Sequence, residues 1–166
     1  DDFSRDLVKL TRSAMCDGCG ERARCTGMFE PSLNEEVFTR DDARVHAVLA
    51  GLEGDVLDIG CGEGPYLRTI EPAASAGRVR YAGLEPDATR AGQLREAHPW
   101  ASVLVQTAEQ LAERAASEAR PRAFDHVLVL RSWTHLRDPA ALVRALGALT
   151  KPGATITVVD NVAFGL

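Results

Sequence analysis

The stretch VLDIGCGEGPYLRTI, residues 56–70, decides how the chain is read. An apolar run ends in Asp58-Ile59, and Gly60, Gly62 and Gly64 then alternate with other residues before a helix-like segment. Glycine at those positions lets the backbone turn tightly and lets a ligand approach with no Cβ in the way. The helix start that follows offers unpaired N–H groups. Three glycine-rich loops compete for this pattern. A P-loop ends in Gly-Lys-Ser/Thr, which is missing here, so it is excluded. The dinucleotide fingerprint G-x-G-x-x-G wants glycine where this chain has Pro65, which disfavours it. The spacing found is G-x-G-x-G, preceded by Asp58.

Outward from the loop, strand-like and helix-like segments alternate. Upstream, NEEVFTRDDARVHAVLAG spaces Val37, Val45, Val48 and Leu49 as on a helix, with Gly51 as its C-cap. DVLDIG reads as a buried strand and PYLRTIEP as a helix with Pro65 near its first turn. RVRYAGLEP is a second strand, and DATRAGQLREAH a helix capped by Asp87. ASVLVQ, FDHVLVL and PGATITVVDN make three further strands. Between them lie the helices EQLAERAASEA and DPAALVRALGAL, the latter with Asp138 as cap and Pro139 at its first position. Such alternation predicts parallel pairing and an α/β, doubly wound, mostly parallel sheet, in which a ligand sits at the carboxyl ends of the strands.

Composition bounds the function. The 166 residues suffice for one sizeable core, and 45% hydrophobic with 26% charged residues is ordinary for a soluble globular protein. A net charge of −5 argues against a nucleic-acid partner. No apolar stretch reaches membrane-spanning length, and the start DDFSRDLVKL has no signal-peptide core, so a cytoplasmic location and no membrane partner are expected. A chain beginning with Asp1 rather than Met reads as processed or as a piece of something longer.

The residues just past each strand then carry the chemistry. Glu85-Pro86 follows the second strand, and an acid there can accept two hydrogen bonds from ribose hydroxyls. Thr107, Ala108 and Glu109 follow the third, where a helix start with Glu109 in its first turn is an equally good description. Arg131, Ser132, Trp133 and His135 follow the fourth, and Asp160 and Asn161 the fifth. His46, His98 and His126 are weaker candidates, the last inside a strand pattern.

VLDIGCGEG resembles the first motif of the class I S-adenosylmethionine (SAM)-dependent methyltransferases, and the order of segments over residues 54–160 resembles that family throughout. The resemblance implies a Rossmann-like methyltransferase fold. It implies a loop of Gly60, Cys61, Gly62 and Gly64 under the methionine part and ribose of SAM, with Cys61 a small residue between glycines. It places Asp58 toward the amino end, Glu85 and Pro86 at the ribose, Thr107, Ala108 and Glu109 at the adenine, and Arg131 and Ser132 along the cofactor. LTKPGATITVVD resembles the later motif leading into the fifth strand. His135 is the best candidate for a general base, an imidazole being able to take a proton near neutral pH. No DPPY- or NPPY-like motif follows the fourth strand, which argues against amino methylation of adenine or glutamine and for a small-molecule acceptor.

Residues 1–32 form a separate cysteine-rich segment ahead of a SAM-binding domain at 33–166. CDGCGERARC places Cys16, Cys19 and Cys25 in a C-x2-C-x5-C pattern that could make most of a tetrahedral metal site, for zinc or an iron–sulfur cluster, though without an evident fourth ligand. The segment also resembles the auxiliary-cluster tail of radical SAM enzymes. The methyltransferase family usually continues with a helix and two more strands, which this sequence lacks, so the resemblance implies either a truncated chain or an open sheet edge that a homodimer or a partner chain covers. Two other readings stand beside methyl transfer: an inactive SAM-binding module or C-terminal part of a larger radical-SAM-type enzyme, and an NAD-type oxidoreductase.

Overall fold

The computed structural model describes residues 10–11, 28–29, 43–117, 122–136 and 138–160. The chain divides into two compact units, residues 1–47 and 48–166. In the first, β1 (Leu10–Thr11) and β2 (Met28–Phe29) pair antiparallel. Residues 43–50 form helix α1. The cysteines 16, 19 and 25 lie outside the described residues.

The second unit alternates as expected. β3 (Gly54–Ile59), α2 (Leu67–Ser75), β4 (Val79–Leu84), α3 (Ala88–Ala97) and β5 (Ser102–Leu104) come first. α4 (Ala108–Ser117), β6 (Phe124–Leu130), a 3-10 turn at Trp133–His135, α5 (Pro139–Leu149) and β7 (Thr150–Val159) follow. The five strands form one sheet in the order β5-β4-β3-β6-β7, every pair parallel. The chain steps outward from β3 to β5, then crosses to β6 and β7 on the other side. That reversal creates a switch point at the carboxyl end of β3, between β3 and β6, where doubly wound sheets bind ligands.

Burial explains the near-continuous apolar runs, since a strand covered on both faces has no polar side to alternate. Leu57, Ile59, Ala82, Leu84, Val127 and Val129 form one core layer with Ala108, Leu111, Leu142 and Leu149 of α4 and α5. Asp58 and Tyr81, at alternate positions along their strands, point to the opposite face. A cavity of about 110 Å3 lined by Leu57, Ala82, Leu111, Ala115 and Phe124 lies on the α4 face, apart from the glycine loop.

Several boundaries differ from the sequence expectation for physical reasons. α2 begins at Leu67, beyond Pro65, and continues past Pro72 to Ser75. Its buried Leu67, Ile70 and Ala73 anchor it on both sides of the proline, so packing overrides the lost backbone bond. β5 is only Ser102–Leu104 rather than the whole of ASVLVQ. β7 starts earlier, at Thr150. Thr150 pairs with Phe124 but Thr155 pairs with His126, so an irregularity absorbs the extra residues around Gly153, whose φ is +80°. The caps are as expected: Asp87 accepts from the N–H groups of Thr89 and Arg90, and Asp138 from that of Ala141, with Pro139 in the first turn.

At the amino ends of the strands, Asp55 is buried under three cations. Arg80 donates to both its oxygens (2.8 and 2.6 Å), Lys151 to Oδ2 (2.8 Å) and Arg122 to Oδ1 (3.2 Å). Asp125 Oδ2 accepts from Lys151 (2.7 Å) and from the Asp55 backbone N–H (2.7 Å), tying β3, β4, β6 and β7 together at this end.

Candidate active site

At the opposite, carboxyl end, the glycine loop is clamped to the neighbouring strand. The N–H groups of Gly60 and Cys61 both donate to the Leu84 carbonyl, each at 2.9 Å. Gly60, Gly62 and Gly64 have φ values of +73°, +55° and +69°, the left-handed region that favours glycine. Crowding separates them. A Cβ on Gly60 would lie 2.6 Å from the Ser132 Cβ, and one on Gly64 2.5 Å from Leu94 Cδ1, whereas one on Gly62 would meet nothing within 4 Å. Gly60 and Gly64 therefore serve close packing, and Gly62 lines open space.

Glu85, buried at the end of β4, braces that loop. Its Oε2 accepts from the Gly62 N–H (3.0 Å) and its Oε1 from the Asp87 N–H (2.9 Å). Its own N–H donates to the Leu104 carbonyl at 3.0 Å, so the ends of β3, β4 and β5 are joined through one residue. A carboxylate offers about four lone-pair sites, so acceptor capacity remains after two bonds.

Asp58 lies under the loop at the end of β3. Tyr81 donates its hydroxyl to Oδ2 at 2.8 Å, while Oδ1 is buried with no partner among the described residues. Burial raises its pKa from the ordinary 3.8 to about 6, the Tyr81 bond opposing the rise. Cys61 is buried beside it, its thiol pushed up to about 12 by burial and by the charge of Asp58. Cys61 is thus a neutral packing residue between glycines, with no nucleophilic thiolate near pH 7.

β6 contributes the other wall. The Ser132 hydroxyl donates to the Ile59 carbonyl at 2.5 Å, joining β6 to β3 at the switch point. Arg131 stands at φ +58°, the one described non-glycine residue with positive φ. Such a conformation costs about 1–3 kcal/mol and persists where the surroundings fix it. Here the Arg131 N–H donates to the Val159 carbonyl (2.5 Å) and its Nε to the hydroxyl of Tyr66, just before α2 (2.9 Å). His135 ends the 3-10 turn, its side chain exposed and its N–H bonded to the Ser132 carbonyl at 3.1 Å.

The remaining candidates divide. Thr107 and Gln110 make a reciprocal capping box at α4, Thr107 N–H to Gln110 Oε1 at 2.9 Å and Gln110 N–H to Thr107 Oγ1 at 3.2 Å. Ala108 is buried in the core layer, and Glu109 Oε1 accepts from the Asp138 N–H at 3.2 Å, toward α5. Pro86 is exposed beside Glu85. His126 is bonded through Nδ1 to Thr155 Oγ1 (2.6 Å) within the sheet, as its strand position suggested. Trp133 packs against the core layer, and Asn161 lies outside the described residues. Sequence reading missed Tyr81, Gly83, Tyr66 and Gln110. A signal existed for two of them: once β3 and β4 are aligned, Asp58 faces Gly83, with Tyr81 two residues earlier on the same face.

Among the described residues no group of three or more His, Cys, Asp or Glu side chains could hold a metal, and no helix is long and apolar enough to cross a membrane. Two features fit SAM: a buried carboxylate oxygen lacking a donor, at Asp58, and an open approach over Gly62 beside Glu85.

A ubiquinone biosynthesis O-methyltransferase from Xanthomonas campestris pv. campestris is 35% identical over 101 residues, covering 61% of this chain and 40% of that protein. One of the same name from Ralstonia nicotianae is 32% identical over 128 residues, covering 77% of this chain and 51% of its own. The chain thus spans about half the length of these relatives, or less. The fold is shared with the plantazolicin methyltransferase BpumL solved with a desmethyl plantazolicin analog and S-adenosylhomocysteine (TM-score 0.58, 14% identity, 80% of this chain and 54% of that one). It is shared as well with DesVI of Streptomyces venezuelae (TM-score 0.53, 18% identity, 80% and 58%). A family model described as a methyltransferase domain matches residues 33–163, most of the length, and the chain belongs to that family.

Proposed function

We propose that the chain binds SAM across the carboxyl ends of β3, β4 and β5 and transfers its methyl group to a small-molecule acceptor, with an oxygen nucleophile favoured by the relatives' names. The observation that carries this reading is the unpartnered Oδ1 of Asp58, buried beneath a glycine loop that Glu85 braces. Asp58 would face the cofactor's ammonium group, Glu85 its ribose hydroxyls, and the segment from Thr107 to Glu109 its adenine. Arg131 and Ser132 would line the sulfur side. Bound SAM supplies an electrophilic methyl group on a sulfonium.

The protein's part is mostly positioning, because the acceptor atom must stand in line with the bond that breaks. His135, exposed past β6, would accept the proton of an acceptor hydroxyl. The cysteines Cys16, Cys19 and Cys25 would hold a structural or electron-transferring metal, outside the methyl-transfer step.

Calorimetry with S-adenosylhomocysteine and with NAD tests the cofactor, since Glu85 could hold the ribose of either. S-Adenosylhomocysteine is expected to bind and NAD not; tight NAD binding alone would overturn the reading. Substituting His135→Ala should lower the methylation rate about 10²–10⁴-fold without changing cofactor affinity. An unchanged rate removes the base and leaves the cofactor assignment standing.

A further inference from the structure

Asp58 does not hold its orientation unaided. β3 and β4 run parallel with Val56 opposite Tyr81 and Asp58 opposite Gly83. Registered partners point to the same face, so Tyr81 and Asp58 are diagonal neighbours on it. A side chain at position 83 would stand between them: a Cβ there would lie 3.0 Å from the Tyr81 hydroxyl oxygen and 2.7 Å from Cys61 Sγ. Glycine leaves that lane open, and the Tyr81 hydroxyl reaches Asp58 Oδ2 at 2.8 Å. The ring of Tyr81 is buried and meets Trp100 edge-on, centroids 5.8 Å apart, which fixes its direction.

We propose that Tyr81 is a positioning residue for the cofactor: through the lane opened by Gly83 it occupies one oxygen of Asp58 and presents the other to a cationic donor. Bare carboxylate oxygens are costly to bury, so an oxygen left without a donor fits one that the ligand completes. Among the described residues, no cation contributes to the shift of Asp58. Tyr81 keeps its proton because burial and the charge of Asp58 raise the phenol well above its usual range. Cys61 is neutral for the same reasons, and Glu85, beyond it, is an acid. From β6, the Ser132 hydroxyl is turned to the Ile59 carbonyl. A positive donor brought from outside would both satisfy Oδ1 and stabilise the charged carboxylate more than a neutral donor could, which is the chemistry of an α-ammonium group. This role rests on SAM being the cofactor.

Two ligands separate the role from mere packing: S-adenosylhomocysteine, which carries the ammonium, and 5′-methylthioadenosine, which lacks the amino-acid end. The Tyr81→Phe protein should lose about tenfold in S-adenosylhomocysteine affinity at pH 7, one charge-assisted hydrogen bond's worth, and keep its 5′-methylthioadenosine affinity within about twofold. Its pH midpoint for S-adenosylhomocysteine binding should move upward, since the charged form of Asp58 has lost its donor. Equal weakening of both ligands, or an unmoved midpoint, would overturn the proposal. If Tyr81→Phe does not fold, the unmodified protein is titrated in buffers of different ionisation heat near pH 6. Proton release with S-adenosylhomocysteine but not with 5′-methylthioadenosine is expected, and equal release refutes the role. If the unmodified protein binds neither ligand, the cofactor reading itself fails.

Discussion

Gly60 and Gly62 share a left-handed backbone but not an environment, and their substitutions separate what the motif does for the fold from what it does for a ligand. An alanine at Gly62 meets nothing within 4 Å, so its structural cost is the conformation alone, about 1–2 kcal/mol. At Gly60 the same cost applies, and the new Cβ, 2.6 Å from Ser132 Cβ, also displaces the hydroxyl bonded to the Ile59 carbonyl. Gly60→Ala should therefore cost roughly 3 kcal/mol or more, a fall in Tm of about 6–12 °C for a chain this long. Gly62→Ala should shift Tm much less yet weaken S-adenosylhomocysteine binding clearly more than its own stability loss accounts for. Thermal melts beside calorimetry check both; equal Tm shifts would refute the division. Glu85→Ala should weaken the same ligand by about 1.5–3 kcal/mol if the carboxylate receives the ribose. An unchanged affinity would leave Glu85 as a brace for the Gly62 N–H and nothing more.

Helix α2 shows how an element can override its own sequence. Pro72 lies inside it, lacks an N–H for the Arg68 carbonyl and is exposed, so it gives the helix little packing in return. Pro72→Ala should restore that bond and stabilise the protein by about 1–2 kcal/mol, after allowing for the looser unfolded chain. Denaturant melts test this, and any destabilisation would mean that the proline fits a bend the fold requires. The element level also marks what was legible in the sequence. β6 coincides with FDHVLVL, and α3 and α5 begin at the caps Asp87 and Asp138, because those signals are local. α2 and β7 depart from the sequence expectation at their ends because packing and strand pairing, both non-local, set those boundaries. The site divides the same way. Gly60, Glu85 and Ser132 could be found by their distance from strand ends. Tyr81 could not, since its partner Asp58 is 23 residues away and meets it only through the register of two strands.

Across the whole second unit, one strand carries two buried acids at opposite ends with opposite pH behaviour. Asp55, at the amino end of β3, is held below the ordinary 3.8 by Arg80 first and by Lys151 and Arg122, against the effect of burial. Its contribution to stability is present above pH 3.8 and is lost as pH falls through its depressed pKa. Asp58, at the carboxyl end, is raised by burial to about 6. The folded form binds that proton more tightly than the unfolded chain, so the free protein loses stability as pH rises from 3.8 through 6, by about 3 kcal/mol when complete. The combined contribution of these two acids to the free protein's stability is therefore greatest near pH 4. A ligand bearing an ammonium group favours the charged form of Asp58, so its affinity should rise with pH through 6 and level off above it. The gain in Tm from saturating S-adenosylhomocysteine should accordingly be larger at pH 7 than at pH 4.5. Because other groups titrate in this range, the comparison is with Asp58→Asn, which cannot ionise. That variant should lack the decline between pH 4 and 6.5 in the free state, and its ligand-induced gain should be flat with pH. If the unmodified protein and Asp58→Asn give parallel curves, Asp58 is not the group that couples the fold to the ligand, and the cation seat must be sought elsewhere on the carboxyl edge of the sheet.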